Sequence, residues 1–281
     1  MKTWMSAVVG SLLLASATDS GAAAAPSSLL RDYRILGLER VTLRRGVSVT
    51  GGDVGCNGSG GTLTMMARSR VEGIAAASTV RVGGGAGAGE LFCTGLDPIQ
   101  PTDAICKPLQ APFIPESRIE DVQVSPGEQN IDVPVRAVIG PVLPGAFRVV
   151  RVARGGRLTL AGGDYDFRAI WIGRDGQLVC EADCNLRVAG RVVLKPGATL
   201  GGESKPIPVQ VRLDVASDLG DLASVRAYRR SAMDARVYAP RGGITLGMNG
   251  RYRGSFIGRT VYVWHFAHID APPEPPPAAE E

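Results

Sequence analysis

The sequence predicts an all-β protein folded as a parallel β-helix, a solenoid with coils of about 20 residues. Short apolar strands recur at a nearly constant spacing behind a turn that ends in glycine. The 281 residues include 37 Gly and 19 Pro, which excludes long helices because glycine costs backbone entropy and proline lacks an N–H. Aromatic residues make up only 5% of the chain, as a narrow interior filled by aliphatic side chains requires. A β-sandwich is the alternative fold.

Residues 1–25 are typical of a secretory signal peptide. Lys2 supplies the positive charge, an apolar run extends from Ala7 to Ala15, and Ala15-Ser16-Ala17 is a small-x-small cleavage site. No later stretch is long and apolar enough for a transmembrane segment in the mature chain. The leader predicts a bacterial protein that is secreted, periplasmic or held at the cell surface.

The mature chain divides into four zones. Residues 26–95 are predicted to form N-terminal β-helical coils, and 96–146 a proline-rich connector. Residues 147–270 are predicted to form C-terminal coils that end in an aromatic cap at 262–268. The remaining residues, 271–281, combine proline with glutamate and are expected to be a disordered tail.

The repeat is clearest in the C-terminal zone. Gly156, Gly176 and Gly197 each end a turn, and a short strand follows each of them. In the segments 157–160, 186–188 and 244–246, apolar and polar residues alternate, which places the apolar side chains on one side of each strand. A strand this short cannot bury an apolar face alone, so stacking of successive coils is expected.

Five cysteines lie in the mature part, and disulfides are the natural interpretation in an oxidising compartment. The preferred pairs are Cys180 with Cys184 and Cys93 with Cys106, which leaves Cys56 outside both pairs. A Cys56–Cys93 pair is the competing possibility. Nothing at zinc-finger spacing indicates a metal site, and no cofactor is predicted.

The segment 237–261, which contains Tyr238-Ala-Pro240 and Ile244-Thr-Leu246, resembles the terminal "YAPxAxITLxGN" signature of a secreted bacterial β-helix family of unknown function. Members of that family are associated with cell surfaces and pili. The resemblance implies a right-handed parallel β-helix, distantly similar to bactofilins and β-helical adhesins, and it implies no catalytic residues.

Two carboxylates are candidates for catalysis, because some β-helix proteins cleave acidic polysaccharides. Asp164 and Asp166 stand two apart, which places both on one face of a strand, as an acid/base pair or a calcium site requires. A turn is the simpler interpretation, because both aspartates follow Gly162-Gly163. They remain weak catalytic candidates.

The candidates for binding are exposed aromatic and basic side chains. Tyr252, Tyr262 and Trp264 can stack on sugar rings, and Arg251 and Arg253 can attract an anionic polymer. The net charge is only +4, and arginines are spread along the chain with carboxylates between them, so nucleic acid is not expected as a partner. Arginines at coil corners, such as Arg154 and Arg174, are adequately explained by solvent exposure.

Together these features predict a secreted, non-enzymatic surface or extracellular module with a structural or adhesive role. Its expected partners are further copies of itself or a cell-surface glycan. Two alternatives stay open, which are a polysaccharide-active lyase or hydrolase on the same fold and a scaffold for pilus or envelope assembly.

Overall fold

The computed structural model describes residues 33–57, 60–99, 105–108, 119–202, 208–218 and 223–272. About 63% of these residues lie in strands, and no helix occurs among them. The strands pair in parallel and form a solenoid of about 11 turns with coils of about 20 residues, which confirms the predicted fold class. The predicted signal peptide and most of the predicted tail lie outside the described residues.

In chain order the strands are β1 (Tyr33–Leu43), β2 (Ser48–Val49), β3 (Asp53–Cys56), β4 (Thr62–Met65), β5 (Arg70–Val82), β6 (Gly87–Pro98), β7 (Lys107–Pro108), β8 (Ile131–Val133), β9 (Val138–Val142), β10 (Gly145–Val152), β11 (Arg157–Leu160), β12 (Gly163–Ile172), β13 (Gln177–Cys180), β14 (Cys184–Val188), β15 (Val192–Leu194), β16 (Thr199–Gly202), β17 (Val211–Val215), β18 (Ala223–Ala227), β19 (Ala232–Leu246), β20 (Arg251–Val263) and β21 (His268–Asp270).

Each coil contributes to three faces of the solenoid. Face 1 contains β14 and β17, face 2 contains β15 and β18, and face 3 contains β13 and β16. Longer strands such as β12 and β20 continue around the corner from face 1 to face 2. Side chains alternate along every face, so one set fills the interior and the other points outward.

The interior consists of columns of aliphatic residues stacked in register from coil to coil. Each such side chain is almost fully buried and contributes about 1.5–3 kcal/mol relative to exposure. The column on face 2 runs through Val150, Ile170, Val192, Val225, Ile244, Val261, Val41, Leu63 and Val80.

The order of coils in the stack differs from their order in the chain. Strand β1 pairs with β20, which places Ile35 beside Phe256 and Val41 beside Val261, and β2 pairs with β21. The coils of residues 33–98 therefore continue the stack beyond the coil that contains β20 and β21.

This arrangement changes the predicted role of the aromatic segment. Residues 262–268 were expected to cap the last coil, but β1 and β2 cover that coil instead. Its apolar interior is thus buried by the N-terminal coils, and Trp264 and Phe266 remain exposed near the middle of the stack.

A segment without strands, residues 119–130, runs along the outside of face 1, and we call it the return segment. The Glu120 carbonyl accepts a hydrogen bond from the Tyr238 hydroxyl on β19. Further along the stack, the Gln129 carbonyl accepts from the Arg148 N–H on β10. The return segment thus crosses several coils and brings the chain to β8 at the far end.

The solenoid restarts earlier than the sequence indicated. Strands β8 and β9 lie inside the predicted connector 96–146. They form the first coil of the second block of coils, which runs from β8 to β21, whereas the first or N-terminal block runs from β1 to β7. The two apolar residues of β8, Ile131 and Val133, are buried against β10. The strand pattern is hard to recognise in the sequence because Pro134, Pro141 and Pro144 interrupt it.

Both preferred cysteine pairs lie at disulfide distance in the structure. The Cys180–Cys184 disulfide joins the end of face 3 to the start of face 1 within one coil, and Cys93–Cys106 lies at the β6 end of the stack. Cys56 is buried on β3. None of the described residues forms a helix of the length and apolar character needed to cross a membrane.

Candidate functional site

Asp164 and Asp166 both point outward from β12 on face 1, as the two-residue spacing predicted. The Asp164 carboxylate accepts a hydrogen bond of 2.7 Å from the Asn185 amide on the next coil. The Asp166 carboxylate accepts from Arg187 Nε at 2.7 Å and from Arg187 Nη2 at 3.2 Å. These contacts tie β12 to β14 and give both carboxylates a structural role between coils.

The polar ladder continues along face 1 beneath the return segment. Arg212 lies 2.8 Å from the Asp214 carboxylate. Burial raises the pKa of Asp214, the hydrogen bond and charge of Arg212 oppose that shift, and the negative charge of Glu120 adds to it. Face 1 therefore carries a chain of paired charges that is partly covered by the return segment.

Tyr252, a predicted binding residue, lies in the interior and cannot contact an outside ligand. Its hydroxyl accepts a hydrogen bond of 2.7 Å from the Gly247 N–H and lies 3.1 Å from Ser231 Oγ. Burial raises its pKa to about 12. Strand alternation indicates this inward position of Tyr252, because Arg251 and Arg253 point outward and the residue between them must point inward.

Arg251 and Arg253 lie on face 3, away from the other candidates. Arg253 is 4.0 Å from the Asp234 carboxylate, and Arg251 is in register with His268. The structure therefore separates the five predicted binding residues into three places, which are face 3, the interior and the region of Tyr262 and Trp264.

Tyr262 and Trp264 do come together, and Arg44 joins them from the N-terminal block. The two rings meet edge to face with centroids 5.1 Å apart. The Arg44 guanidinium lies 5.1 Å from the Tyr262 centroid and 5.7 Å from the Trp264 centroid, and its Nε donates to the Tyr262 hydroxyl. Both aromatic side chains are outward neighbours of buried Val261 and Val263.

Tyr262 and Trp264 form one wall of a groove of about 400 Å³ on face 2, and Arg44 contacts both rings from outside the groove lining. The groove exists because one coil carries short side chains between two coils with bulky ones. Gly243 and Thr245 form the floor, with Arg226 on one side and Tyr262 on the other in register. The full lining is Glu39, Arg40, Thr42, Ala223, Arg226, Gly243, Ile244, Thr245, Arg259, Thr260, Val261, Tyr262 and Trp264.

The charge of the groove is mostly positive. Arg259 lies between two carboxylates, 3.9 Å from Glu39 and 3.6 Å from Asp218, and Arg226 lies over the Tyr228 ring at 5.4 Å. Guanidinium groups bind carboxylates with two parallel hydrogen bonds, and aromatic rings stack on apolar faces. The arrangement can hold a sugar chain, especially one that bears carboxylates.

Sequence reasoning missed Arg44, Arg226 and Gly243. The groove joins strands from β1, β18, β19 and β20, and the contact between β1 and β20 depends on the order of stacking, which no local pattern reveals. The sequence feature that indicates the groove is the alternation of Val261 and Val263 with Tyr262 and Trp264, which places the two aromatic side chains on the outside.

No family model matches the sequence, and comparisons with curated proteins and with solved structures give no significant match. The likeness of residues 237–261 to a secreted bacterial β-helix family therefore stays a prediction. Among the described residues, no group of three or more His, Cys, Asp or Glu side chains is placed to hold a metal ion.

Proposed function

We propose that this protein is an extracellular, non-enzymatic binding module that holds a glycan in the face 2 groove. The observation that carries the proposal is the pair of half-buried Tyr262 and exposed Trp264, which line a groove of about 400 Å³ together with Arg40 and Arg226. Trp264 remains 40% exposed although a tryptophan side chain favours burial. An exposed ring in a concave site is a typical contact for a sugar face.

A rigid scaffold supports this role. Stacked coils hold the groove residues on paired strands, and two disulfides suit an oxidising extracellular environment. Proline lies in the terminal strands at both ends of the stack, with Pro98 and Pro108 at one end and Pro141 at the other. Because proline lacks an N–H, these ends are poor templates for added strands, which favours glycan binding over end-to-end assembly.

The test is binding of purified protein to a panel of neutral and acidic oligosaccharides by calorimetry. We expect Trp264→Ala to weaken binding by about five- to tenfold, since a lost ring contact costs about 1 kcal/mol. Trp171→Ala is the matched control, because Trp171 is 39% exposed on the same face but lies outside the groove lining.

Two results would contradict the proposal. The first is equal loss of binding in Trp264→Ala and Trp171→Ala. The second is release of reducing ends or unsaturated products from an oligosaccharide, abolished by Asp164→Ala or Asp166→Ala, which would make the protein an enzyme.

A further inference from the structure

The corner between face 2 and face 3 repeats one backbone conformation on every coil. One residue at each of ten corners has a positive φ of 53–74°, and at nine of them its N–H donates to a carbonyl of the next coil, as Gly155 does to Arg174. These corner residues are Arg136, Gly155, Asp175, Gly197, Arg230, Asn249, Phe266, Gly46, Arg68 and Gly85. They form a straight column that crosses the junction between the two blocks, because the Phe266 N–H donates to the Arg45 carbonyl.

Exposed cations occupy this corner on most coils. The corner residues and the two residues before each of them include eight exposed cationic side chains, which we call the basic ridge. They are Arg136, Arg154, Arg174, Lys195, Arg229, Arg230, Arg45 and Arg68. At about 4.8 Å per coil the ridge is roughly 40 Å long.

The basic ridge has almost no compensating charge. Several arginines on the faces, among them Arg81, Arg151 and Arg187, form an ion pair with a carboxylate. None of the eight ridge cations forms an ion pair with any residue that the structure describes. Asp175 is the one carboxylate in the corner column. The ridge is therefore a line of like charges that repel one another.

Local folding does not explain these arginines. Arg68, Arg136 and Arg230 occupy the left-handed conformation, with φ of 60°, 58° and 57°. Glycine adopts this conformation freely, whereas a residue with a Cβ pays about 1–2 kcal/mol. Arginine at three such positions costs stability through both conformation and repulsion, and such costs are typical of a binding surface.

Exposed apolar side chains interrupt the ridge at two coils. Met248, Trp264 and Phe266 are 37%, 40% and 48% exposed, and they lie between Arg230 and Arg45 along the stack. Trp264 also lines the groove on face 2. A ligand laid along the corner would thus meet cations, then aromatic surface beside the groove, then cations again.

We propose that the basic ridge binds a linear polycarboxylate polysaccharide that lies along the solenoid axis, an inference that rests on the proposed glycan-binding function. A polyuronate carries one carboxylate per sugar, and one sugar unit is comparable in length to the rise of one coil. Seven of the eight cations are arginines, which bind carboxylates through two parallel hydrogen bonds. A nucleic acid strand fits less well, because it carries about one charge per 3.4 Å.

The test compares an oligogalacturonate with its fully methyl-esterified form, which has the same backbone without charge. Arg154→Gln/Arg174→Gln/Arg229→Gln removes three ridge cations, and Arg81→Gln/Arg151→Gln/Arg187→Gln removes three ion-paired cations on the faces as a control. The ridge variant is expected to weaken binding of the acid by at least about tenfold, because each exposed ion contact contributes a factor of roughly two to five. The control should retain most of the affinity.

Four outcomes decide the question. The inference is supported if the protein binds the acid in a salt-sensitive way, and if the ridge variant loses this binding while its binding of the ester is unchanged. Loss of both ligands in Trp264→Ala without any effect of the ridge variant overturns the ridge and leaves the proposed function standing. Single-stranded DNA that competes equally with the acid overturns the polysaccharide as ligand. Failure of the acid to bind overturns the ridge, and the proposed function fails with it only if no member of the neutral and acidic panel binds.

Discussion

At the level of single residues, two buried tyrosines close the corners of the solenoid from within. The Tyr165 hydroxyl donates to the Val142 carbonyl at 2.7 Å, and the Tyr252 hydroxyl accepts from the Gly247 N–H at the same distance. Gly250 permits this position of Tyr252, since a Cβ on Gly250 would lie 2.3 Å from the hydroxyl oxygen. The backbone at this corner is therefore satisfied by a side chain from the interior.

Replacing Tyr252 with phenylalanine should destabilise the protein by about 1–3 kcal/mol, because the buried Gly247 N–H and Ser231 hydroxyl lose a partner. Urea unfolding followed by circular dichroism measures the change. Tyr228→Phe is the control, since the Tyr228 ring lies at the surface beneath Lys195 and Arg226. Equal free energies of unfolding for the two variants would contradict the role of the Tyr252 hydroxyl.

Asp214 gives a prediction about pH. Its pKa is raised above the ordinary 3.8, chiefly by burial, so the folded protein binds this proton more tightly than the unfolded chain. Its contribution to stability is therefore fully present below pH 3.8 and is lost as pH rises through the raised folded pKa. Relative to the wild type, Asp214→Asn should gain stability across that window. Chemical unfolding from below pH 3.8 to neutral pH measures the difference, and a difference that stays constant would contradict the burial argument.

At the level of elements, the repeating unit is the corner with its left-handed residue. The sequence predicted a turn ending in glycine every 20 residues or so, and the structure places the left-handed residues at Gly155, Asp175 and Gly197 in that zone. The period was predictable because each coil must turn in the same way to stack. Corners such as those of Arg230 and Phe266 escaped prediction, since contacts between coils hold residues there that disfavour this conformation locally.

Gly155→Ala tests the corner. Space for the new Cβ exists, as its nearest neighbour would be the Arg136 side chain at 3.5 Å, so the cost should be backbone strain alone, about 1–2 kcal/mol. Gly87→Ala is the matched control, because a Cβ there meets nothing within 4 Å and its φ is not positive. Thermal or urea unfolding measures both. If Gly155→Ala is as stable as Gly87→Ala, the corner does not require glycine.

The candidate site shows the limit of prediction at this level. Simple alternation would put Tyr252, Tyr262 and Trp264 on one side, but the pattern changes phase at residues 259–260, so Tyr252 points inward while Tyr262 and Trp264 lie on the outside. The groove needs Gly243 and Thr245 in the neighbouring coil and Arg40 and Thr42 from β1. Those partners lie far away in sequence, and their positions follow from register rather than from any motif.

At the level of the whole molecule, the defining feature is that the N-terminal coils stack on the C-terminal coil. The repeat predicted stacking of successive coils, but every coil carries similar aliphatic columns, so composition does not say which coil covers β20. The return segment makes the observed order possible by carrying the chain back along face 1, anchored by Tyr238 and by Arg241, which pairs with Asp121 at 2.5 Å.

Both proposed binding surfaces depend on this junction. The groove combines Arg40 and Thr42 with Tyr262 across the β1–β20 pair, and the basic ridge continues from Arg230 to Arg45 across the same junction. Without the junction each surface would be divided between two separate blocks of coils.

A designed disulfide across the junction tests this arrangement most directly. Ser48 and His268 are in register on the outer side of face 3, and neighbouring strands lie about 4.8 Å apart, within the range that a disulfide spans. In Ser48→Cys/His268→Cys, mass spectrometry of the non-reduced monomer should find residues 48 and 268 joined within one chain. The control, Ser48→Cys/Thr199→Cys, places the second thiol several coils away on the same face and should stay reduced. A Ser48→Cys/His268→Cys monomer with both thiols reduced, or a bond found only between two chains, would contradict the single continuous solenoid.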